Sequence, residues 1–170
     1  MKTLLLLRHA KSSWADPAIG DFDRPLAPRG RRAMKLIGGY LEDRKLLPDL
    51  VLCSTAKRTH ETCDLLAPQL GGASVRFDKA LYLSTPAVLL RLVQAAPLAA
   101  GRVMVIAHNP GLQQFAERLA GSGDEVKLER MHSKFPTAGL AVLTLPIDDW
   151  RDVTAAGARL EDFVAPRDLD

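Results

Sequence analysis

Aromatic residues are scarce in this sequence, and its charge is nearly balanced. Phe, Trp and Tyr make up 5% of the 170 residues, and the formal net charge is +3. Proteins that bind single-stranded nucleic acid usually combine a strongly basic groove with aromatic side chains on which the bases stack. The composition therefore argues against a nucleic-acid partner.

Cysteines and long apolar segments are also rare. Cys53 and Cys63 form no Cys-x-x-Cys pair and have no Cys or His companions at zinc spacing. We expect both to pack in the interior, which fits a reducing cytoplasm. The leucines near the start superficially resemble a signal peptide, but this apolar run ends at Arg8, and no later segment is long enough to span a membrane. The sequence therefore predicts a cytoplasmic protein with no membrane partner.

What the sequence does contain is an alternation of short apolar strands and amphipathic helices. A chain of this length buries roughly two thirds of its unfolded surface, and we predict one domain over residues 1–170. The predicted strands cover residues 3–7, 50–53, 75–77, 103–107, 139–145 and 158–164. The predicted helices cover residues 28–44, a segment capped by Ser54 or Thr55, residues 87–96, and a segment from Pro110, capped by Asn109 and closed by Gly121. This alternation indicates an α/β fold with a mostly parallel sheet between two helical layers.

Two of the predicted strands end at a histidine. The strand at residues 3–7 leads into Arg8 and His9, and the strand at residues 103–107 leads into His108. A buried parallel strand delivers its C-terminal residue to the crevice where open α/β sheets bind ligands. Right-handed crossovers bring a third strand end to the same edge, and the helix that follows it carries Arg58.

Two imidazoles and two guanidiniums at one sheet edge predict a binding site for a phosphate-like anion. So much positive charge is unfavourable without an anion, and the planar arginine side chain can hold phosphate oxygens bidentately. The helices that begin near this edge add free N–H groups with positive partial charge. A lone histidine at a strand end is more often structural, so the prediction depends on the combination. We assign no function to His60 or His132.

These segments resemble the motifs of a known family. Leu7–Ser12 resembles the Arg-His-Gly signature of the histidine phosphatase (phosphoglycerate-mutase-like) superfamily. Ser54–Thr62 resembles its second-arginine motif, Ser-x-x-x-Arg-x-x-x-Thr, and Ala107–Pro110 resembles its second-histidine motif. The short chain, Arg24–Leu26 and Pro136–Ala138 are similar to the SixA-like phosphohistidine phosphatases within it. The resemblance implies a phosphoglycerate-mutase-like three-layer α/β/α sandwich.

The resemblance also implies roles for individual residues. It makes His9 the nucleophile, which becomes transiently phosphorylated, and it makes Arg8, Arg58 and His108 the groups that hold the phosphoryl oxygens. Ser12 matches a position that often adds a hydroxyl contact, although a simple turn residue fits equally well. The candidate substrate-binding residues are therefore Arg8, Ser12, Arg58, His108 and Asn109.

Two departures from the family's pattern bear on the chemistry. Ala10 stands where the signature has glycine, and we expect the backbone there to adopt a conformation that alanine tolerates. Many relatives carry a glutamate general acid where this chain reads Ala80–Thr85, a segment without a carboxylate. An alkoxide leaving group needs such an acid more than an imidazole, whose pKa is about 6.5. The missing carboxylate therefore favours a substrate in which the bond that breaks is N–P rather than O–P. We predict that the substrate is a protein that carries phosphohistidine.

Other functions remain open at this point. Asp16, Asp21 or Asp23 in the loop after the first strand could supply a proton for hydrolysis of a small phosphate ester, although a solvated polar loop is the simpler interpretation of each. The missing acid and the short chain disfavour a mutase. A non-catalytic module that binds phosphate or a phosphoprotein is a further alternative, but binding alone would not require His9 beside Arg8.

We expect no metal ion and no other cofactor. The histidine-arginine chemistry needs none, Arg8 and Arg58 would repel a cation, and the loop aspartates lack the spacing of an EF-hand.

A cluster of cations stands at the start of the first predicted helix. It consists of Arg29, Arg31, Arg32 and Lys35. A solvated helix face is its simplest interpretation, but it is also the best candidate in the sequence for docking an acidic protein partner.

Overall fold

The computed structural model describes residues 1–170, which form seven strands and six helices. The strands are β1 (Lys2–Arg8), β2 (Leu50–Cys53), β3 (Ser74–Phe77), β4 (Arg102–Ala107), β5 (Ala120–Gly123), β6 (Leu140–Leu145) and β7 (Ala158–Val164). The helices are α1 (Pro28–Asp43), α2 (Lys57–Leu65), α3 (Pro86–Gln94), α4 (Gly111–Leu119), α5 (Glu125–Ser133) and α6 (Pro166–Leu169). None of these helices combines the length and the apolar character needed to cross a membrane.

All seven strands lie in one sheet, in the order β3-β2-β4-β1-β6-β7-β5. The central strand β1 is parallel to β4 and antiparallel to β6. The pairs β2–β3, β2–β4 and β5–β7 are also parallel, so only β6 runs against the other strands. The predicted mostly parallel sheet is confirmed.

Helices cover both faces of the sheet because its central strands are apolar on both faces. Leu4 and Leu6 of β1 lie in one core with α3, α4 and α5, whereas Leu5 and Leu7 lie in a second core with α1 and α2. All four leucines are fully buried, and burial of each such side chain contributes about 1.5–3 kcal/mol. The predicted three-layer α/β/α sandwich is confirmed.

The parallel register places the carboxyl ends of β1, β4 and β2 side by side. Arg8 of β1 pairs with Ala107 of β4, and β2 ends beside β4 in the same direction. The residues that follow these strand ends, His9, His108 and Ser54, therefore emerge at the same edge of the sheet.

The predicted N-cap of α2 is wrong. The helix begins at Lys57, and its N-cap residue Ala56 offers no side-chain hydrogen bond. Ser54 stands two residues before the N-cap, and its hydroxyl contacts the His108 ring instead, at 2.7 Å. The Thr55 hydroxyl has no partner in the protein.

The region around α4 also differs from the prediction. The helix begins at Gly111 rather than Pro110, and after Leu119 the chain enters β5 directly, so Gly121 lies in a strand instead of closing the helix. The sequence pattern does not predict α5, because this helix has no continuous apolar face. Met131 is its one buried residue.

The two cysteines lie in the interior without a disulfide bond. The Cys53 thiol contacts the carbonyl oxygens of Ser54 and Thr59, at 3.4 and 3.3 Å. The prediction that Cys53 and Cys63 are buried packing residues is confirmed.

A glycine lets α1 lie against the strand end that carries His9. A Cβ atom at Gly30 would lie 2.2 Å from the carbonyl oxygen of Lys11, whereas a Cβ atom at Gly39 of the same helix would meet nothing within 4 Å. We expect Gly30→Ala to lower the free energy of unfolding by about 1–3 kcal/mol, because the backbone must move to relieve the overlap. We expect Gly39→Ala to raise it by about 0.5–1 kcal/mol. Urea denaturation measures both values, and equal effects of the two substitutions would contradict the prediction.

Candidate active site

The two histidines predicted at strand ends meet at the carboxyl edge of the sheet. The ring centroids of His9 and His108 are 5.3 Å apart. Both residues are nearly inaccessible to solvent, with exposed fractions of 6% and 2%. Because burial removes water from both rings, their polar atoms must find partners in the protein or in a ligand.

The hydrogen bonds of His9 determine which ring nitrogen is available. Its Nδ1 is 2.8 Å from the carbonyl oxygen of Ala10, and a carbonyl can only accept, so Nδ1 carries the proton and Nε2 carries the lone pair. The His9 backbone is held by Ala107 and Ala138 on either side. Ala10 has no positive φ, so the expectation that alanine is tolerated there is confirmed. His9 therefore presents a fixed lone pair at Nε2.

His108 is held through its other ring nitrogen. The buried Ser54 hydroxyl accepts the N–H of Ala56 at 3.4 Å and lies 2.7 Å from Nε2 of His108, its only other hydrogen-bond partner. We assign the Ser54 proton to this contact, which places the proton of His108 on Nδ1, a buried atom that has no partner in the protein. His108 offers a hydrogen-bond donor to the site, whereas His9 offers a lone pair.

Both predicted arginines belong to the same site. Arg8 donates from Nη1 to the carbonyl oxygen of Phe135, at 2.9 Å. Arg58 donates to the carbonyl oxygen and to the carboxylate of Asp21, at 2.7 and 3.1 Å. The Nε atoms of both arginines are buried without a partner in the protein.

Of the five buried side-chain atoms without a partner, three are donors of the predicted site residues, namely Nε of Arg8, Nε of Arg58 and Nδ1 of His108; the others are the Thr55 hydroxyl and Nε of Arg102. Each unmatched buried donor costs about 1–3 kcal/mol. Their residues lie at or just after three neighbouring strand ends, and both arginines lower the pKa of both histidines, so this edge suits an anion with several oxygens. A phosphoryl group meets this requirement, and Nε2 of His9 is the one lone pair among these side chains.

Burial and neighbouring positive charges keep both imidazoles neutral. The pKa of His9 is lowered to about 3, first by burial and then by Arg58 and Arg8, against the opposing effect of its hydrogen bond with Ala10. The pKa of His108 is also lowered to about 3, by burial and then by His9 and Arg58. At neutral pH the Nε2 atom of His9 is therefore unprotonated.

Asp21 balances part of this positive charge. Its carboxylate is 3.1 Å from both Arg58 and Arg24, and 2.5 Å from the hydroxyl of Tyr82. The Tyr82 hydrogen bond, followed by the two arginines, lowers the pKa of Asp21 to about 2. Asp21 is ionised at neutral pH and holds no proton to donate. Asp21 is exposed, as expected for a solvated loop residue, but it also pairs with two arginines, whereas Asp16 makes only a local contact with the N–H of Ala18.

Tyr82 lies in the segment that contains no carboxylate, and it packs its ring against the site. The ring meets His108 edge-on with centroids 5.4 Å apart, and it meets Phe22 edge-on at 5.0 Å. Burial and the Asp21 carboxylate raise the pKa of Tyr82. The phenol therefore remains protonated and bound to Asp21 at neutral pH.

Ser12 and Arg24 form the wall of the site beside Asp21. Arg24 is buried, donates to the Ser12 hydroxyl and to Asp21, and lies over the Trp14 ring at 3.6 Å. The Ser12 oxygen accepts from Arg24, so its proton remains free to be donated. Ser12 can therefore still donate the hydroxyl contact predicted for it, and its bond with Arg24 links the loop after β1 to Asp21.

Asn109 differs from its predicted role as a substrate contact. Its Nδ2 donates to the carbonyl oxygen of Phe135 at 3.0 Å and to Gln113 at 3.3 Å, and its Oδ1 accepts the N–H of Gln113 at 3.2 Å. These bonds use both amide protons within the protein. Asn109 therefore positions the Phe135 carbonyl, which also receives Arg8.

The other two histidines lie outside the site. His60 stacks on Phe77 with ring centroids 4.3 Å apart, and His132 is exposed, 3.7 Å from Glu117. No group of three or more His, Cys, Asp or Glu side chains is arranged to hold a metal ion.

Sequence reasoning offered Asp21 only as one of three possible proton donors, and it did not identify Tyr82 or Ser54 as parts of the site. Ser54 opens the second-arginine motif, so its position gave a usable signal. Nothing local separates Asp21 from the other aspartates of its loop. Tyr82 was visible only as part of a segment without a carboxylate, and its contact with Asp21 spans 61 positions of the chain.

Comparison with known proteins identifies relatives over most of the chain. Residues 4–82 match the sequence profile of the histidine phosphatase superfamily (branch 1). An uncharacterized protein of Mycobacterium tuberculosis is 39% identical over 163 residues, which cover 95% of this chain and 100% of that protein. An uncharacterized chloroplastic protein of Arabidopsis thaliana is 30% identical, over 97% of this chain and 78% of that protein.

Solved structures of similar proteins also match nearly the whole chain. A protein of Agrobacterium tumefaciens, named after the phosphohistidine phosphatase SixA, has a TM-score of 0.82 and 34% identity over 97% of this chain and 98% of that chain. A protein of Nakamurella multipartitia with the same name has a TM-score of 0.85 and 31% identity over 97% of this chain and 96% of that chain.

We expect the Cε1 protons of His9 and His108 to show no NMR titration between about pH 8 and about pH 5. Both pKa values are lowered to about 3, so neither ring binds a proton in this range, whereas histidine in the unfolded chain does so near about pH 6.5. The unfolded state therefore binds more protons than the folded state, and stability decreases as the pH falls below about 6.5. The variants His60→Asn and His132→Asn assign the signals. A midpoint near 6.5 for His9 would contradict the prediction.

We expect Asp21→Asn to bind inorganic phosphate more tightly than the wild type. The substitution keeps the shape of the side chain but removes one negative charge beside Arg58, which is worth about 1 kcal/mol, or about fivefold in affinity. Isothermal titration calorimetry measures the affinity, and Asp16→Asn in the same loop is the matched control. Unchanged or weaker binding by Asp21→Asn alone would contradict the prediction.

Proposed function

This chain belongs to the histidine phosphatase superfamily, and from that premise we propose that it hydrolyses protein phosphohistidine through a phosphorylated His9. The observation that carries the proposal is the neutral His9 ring, whose Nδ1 is held by the Ala10 carbonyl, at a sheet edge where three buried donors have no acceptor. An anion binder needs the donors, but it has no use for a neutral, oriented lone pair among them. A nucleophile requires that lone pair.

In the first step, Nε2 of His9 attacks the phosphorus atom in line with the leaving group. The new N–P bond forms as the bond to the leaving group breaks, and Nδ1 keeps its proton on the Ala10 carbonyl. Negative charge on the transferred oxygens is stabilised by Arg8, Arg58 and Nδ1–H of His108. Because these donors are already oriented in the free protein, little reorganisation accompanies the transfer.

In the second step, water attacks the phosphorus of phosphorylated His9 from the side that the leaving group vacated. The N–P bond breaks, its electron pair returns to Nε2 of His9, and the water oxygen leaves in inorganic phosphate together with both water protons. The same donors serve both steps, because the phosphoryl oxygens stay beside them. The phosphorus is attacked first by Nε2 of His9 and then, from the opposite side, by water.

The acid-base properties of the site favour an imidazole leaving group. Asp21 is ionised, with a pKa lowered to about 2, and the Tyr82 phenol donates its proton to Asp21. Neither group readily protonates a departing alkoxide. An imidazole has a pKa of about 6.5, so solvent protonates its second nitrogen near neutral pH and it leaves as a neutral molecule. Phosphohistidine therefore suits this site better than an alkyl phosphate.

Two solved relatives named after the phosphohistidine phosphatase SixA support the same substrate class. Each is more than 30% identical to this chain over nearly its full length. The ionised state of Asp21 also weakens the alternative of a small-molecule phosphatase with a loop aspartate as its acid.

We expect the protein to release phosphate from a phosphohistidine peptide much faster than from para-nitrophenyl phosphate, with His9→Ala slower by at least about a thousandfold. Acid quench during turnover detects the phosphoenzyme, and His60→Ala, on the exposed face of α2, is the matched histidine control. Equal or faster turnover of the ester would contradict the N–P assignment. Phosphate binding without a phosphoenzyme would support the non-catalytic alternative.

A further inference from the structure

A cavity of about 540 Å³ lies between α1, α5 and the C-terminal segment around α6. It does not include His9, Arg8, Arg58 or His108. Its volume is in the range of sites that bind small molecules or a few side chains of a partner.

The cavity is positively charged beyond what the protein itself balances. Four of the cations that line it make no ion pair and no side-chain hydrogen bond, namely Lys11, Arg29, Lys134 and Arg167. A fifth, Arg130, is paired with Asp168 at 2.6 Å, and Glu129 is the one acidic residue in the lining. Like charges gathered in one concave site repel each other unless an anion joins them.

A second cavity nearby does not have the same excess of positive charge. The second cavity, of about 610 Å³, lies along the same helix α1. It is lined by four basic residues and three acidic ones, and its Asp162 binds both Lys127 and Tyr40. The basic residues of the second cavity are therefore nearly balanced in number by acidic residues of the same lining, whereas those of the first cavity are not.

The positively charged cavity shares backbone with the candidate active site. Lys11 follows His9 by two residues, so their Cα atoms are at most about 7.6 Å apart. Pro136 and Thr137 line the cavity, and they directly follow Phe135, whose carbonyl oxygen receives Arg8. A group bound in the cavity thus contacts one segment that continues from His9 and another whose Phe135 carbonyl receives Arg8.

We propose that this cavity binds acidic side chains of the phosphorylated protein, close to its phosphohistidine. The inference rests on the proposed function, and it names the substrate feature that the protein recognises. The four cations come from separate segments around a cavity of this size, so they match several carboxylates better than a single anion. The exposed Val126 at its rim offers apolar contact to the rest of a peptide.

The four cations predicted as a docking site, Arg29, Arg31, Arg32 and Lys35, do not all face the same cavity. Arg29 lines the positively charged cavity, but Arg31 is paired with Glu61 at 2.5 Å, and Lys35 lines the second cavity. Arg32 is exposed and lines neither. Arg29 and Arg32 therefore provide a matched pair of variants on one helix.

The first test compares two phosphohistidine peptides that differ only in having glutamate or glutamine beside the phosphohistidine. We expect wild-type kcat/KM to favour the glutamate peptide about tenfold, since partly exposed ion pairs contribute modestly and two or more act together. The double variant Arg29→Ala/Lys134→Ala should lose most of this ratio, and Arg32→Ala/Lys35→Ala should keep it. A ratio near one in the wild type, or equal ratios in the two variants, would overturn the proposal.

A second test is independent of turnover. Unphosphorylated glutamate peptide and inorganic phosphate are titrated separately into ¹⁵N-labelled protein, and the amides of Lys134, Thr137 and Arg167 report on the cavity. The peptide should shift these amides in the wild type and not in Arg29→Ala/Lys134→Ala. If neither phosphopeptide is hydrolysed but the shifts occur, the proposed function fails while the binding site stands. Absence of the shifts, or saturation of these amides by phosphate at lower concentration than by peptide, would overturn the peptide assignment.

Discussion

Leu7 and Arg8 of β1 pair in parallel with Ile106 and Ala107 of β4, and the positions of both histidines depend on this register. A slip by one residue would turn every side chain of a strand to the opposite face of the sheet. The leucines of β1 prevent such a slip because they are fully buried in two separate cores. The separation of 5.3 Å between the two imidazole rings is therefore set by hydrophobic packing well away from the rings.

Positive charge at this buried edge is the second constraint, and the protein reduces it in two ways. The histidines are neutral, because burial and the neighbouring arginines lower their pKa values to about 3. Asp21 balances Arg58 and Arg24 from the first loop. The same arrangement removes the proton donor that a basic leaving group would need, since a carboxylate that holds two guanidiniums stays ionised. The electrostatics that suit a phosphoryl group thus also narrow the leaving groups that the site can release.

The segments that hold His9 also form one side of the positively charged cavity. Ala138 donates its N–H to the carbonyl oxygens of Arg8 and His9, so the chain that lines the cavity at Pro136 and Thr137 is hydrogen-bonded to the strand end. A rigid connection of this kind lets binding energy from a remote part of a substrate orient its phosphoryl group, which is a general source of rate and specificity.

The sequence by itself determined the strands that form the core, the order of the main elements and the four groups Arg8, His9, Arg58 and His108. These features depend on local periodicity and short motifs, which are complete within a few residues of the chain. Only the tertiary structure decided that Asp21, and not Asp16 or Asp23, joins the site, that Ser54 binds His108 instead of capping α2, and that Arg29 faces a different cavity from Lys35. Each of these outcomes depends on which distant segment lies beside the residue, and the pairing of distant segments is fixed by the packing of the whole sheet.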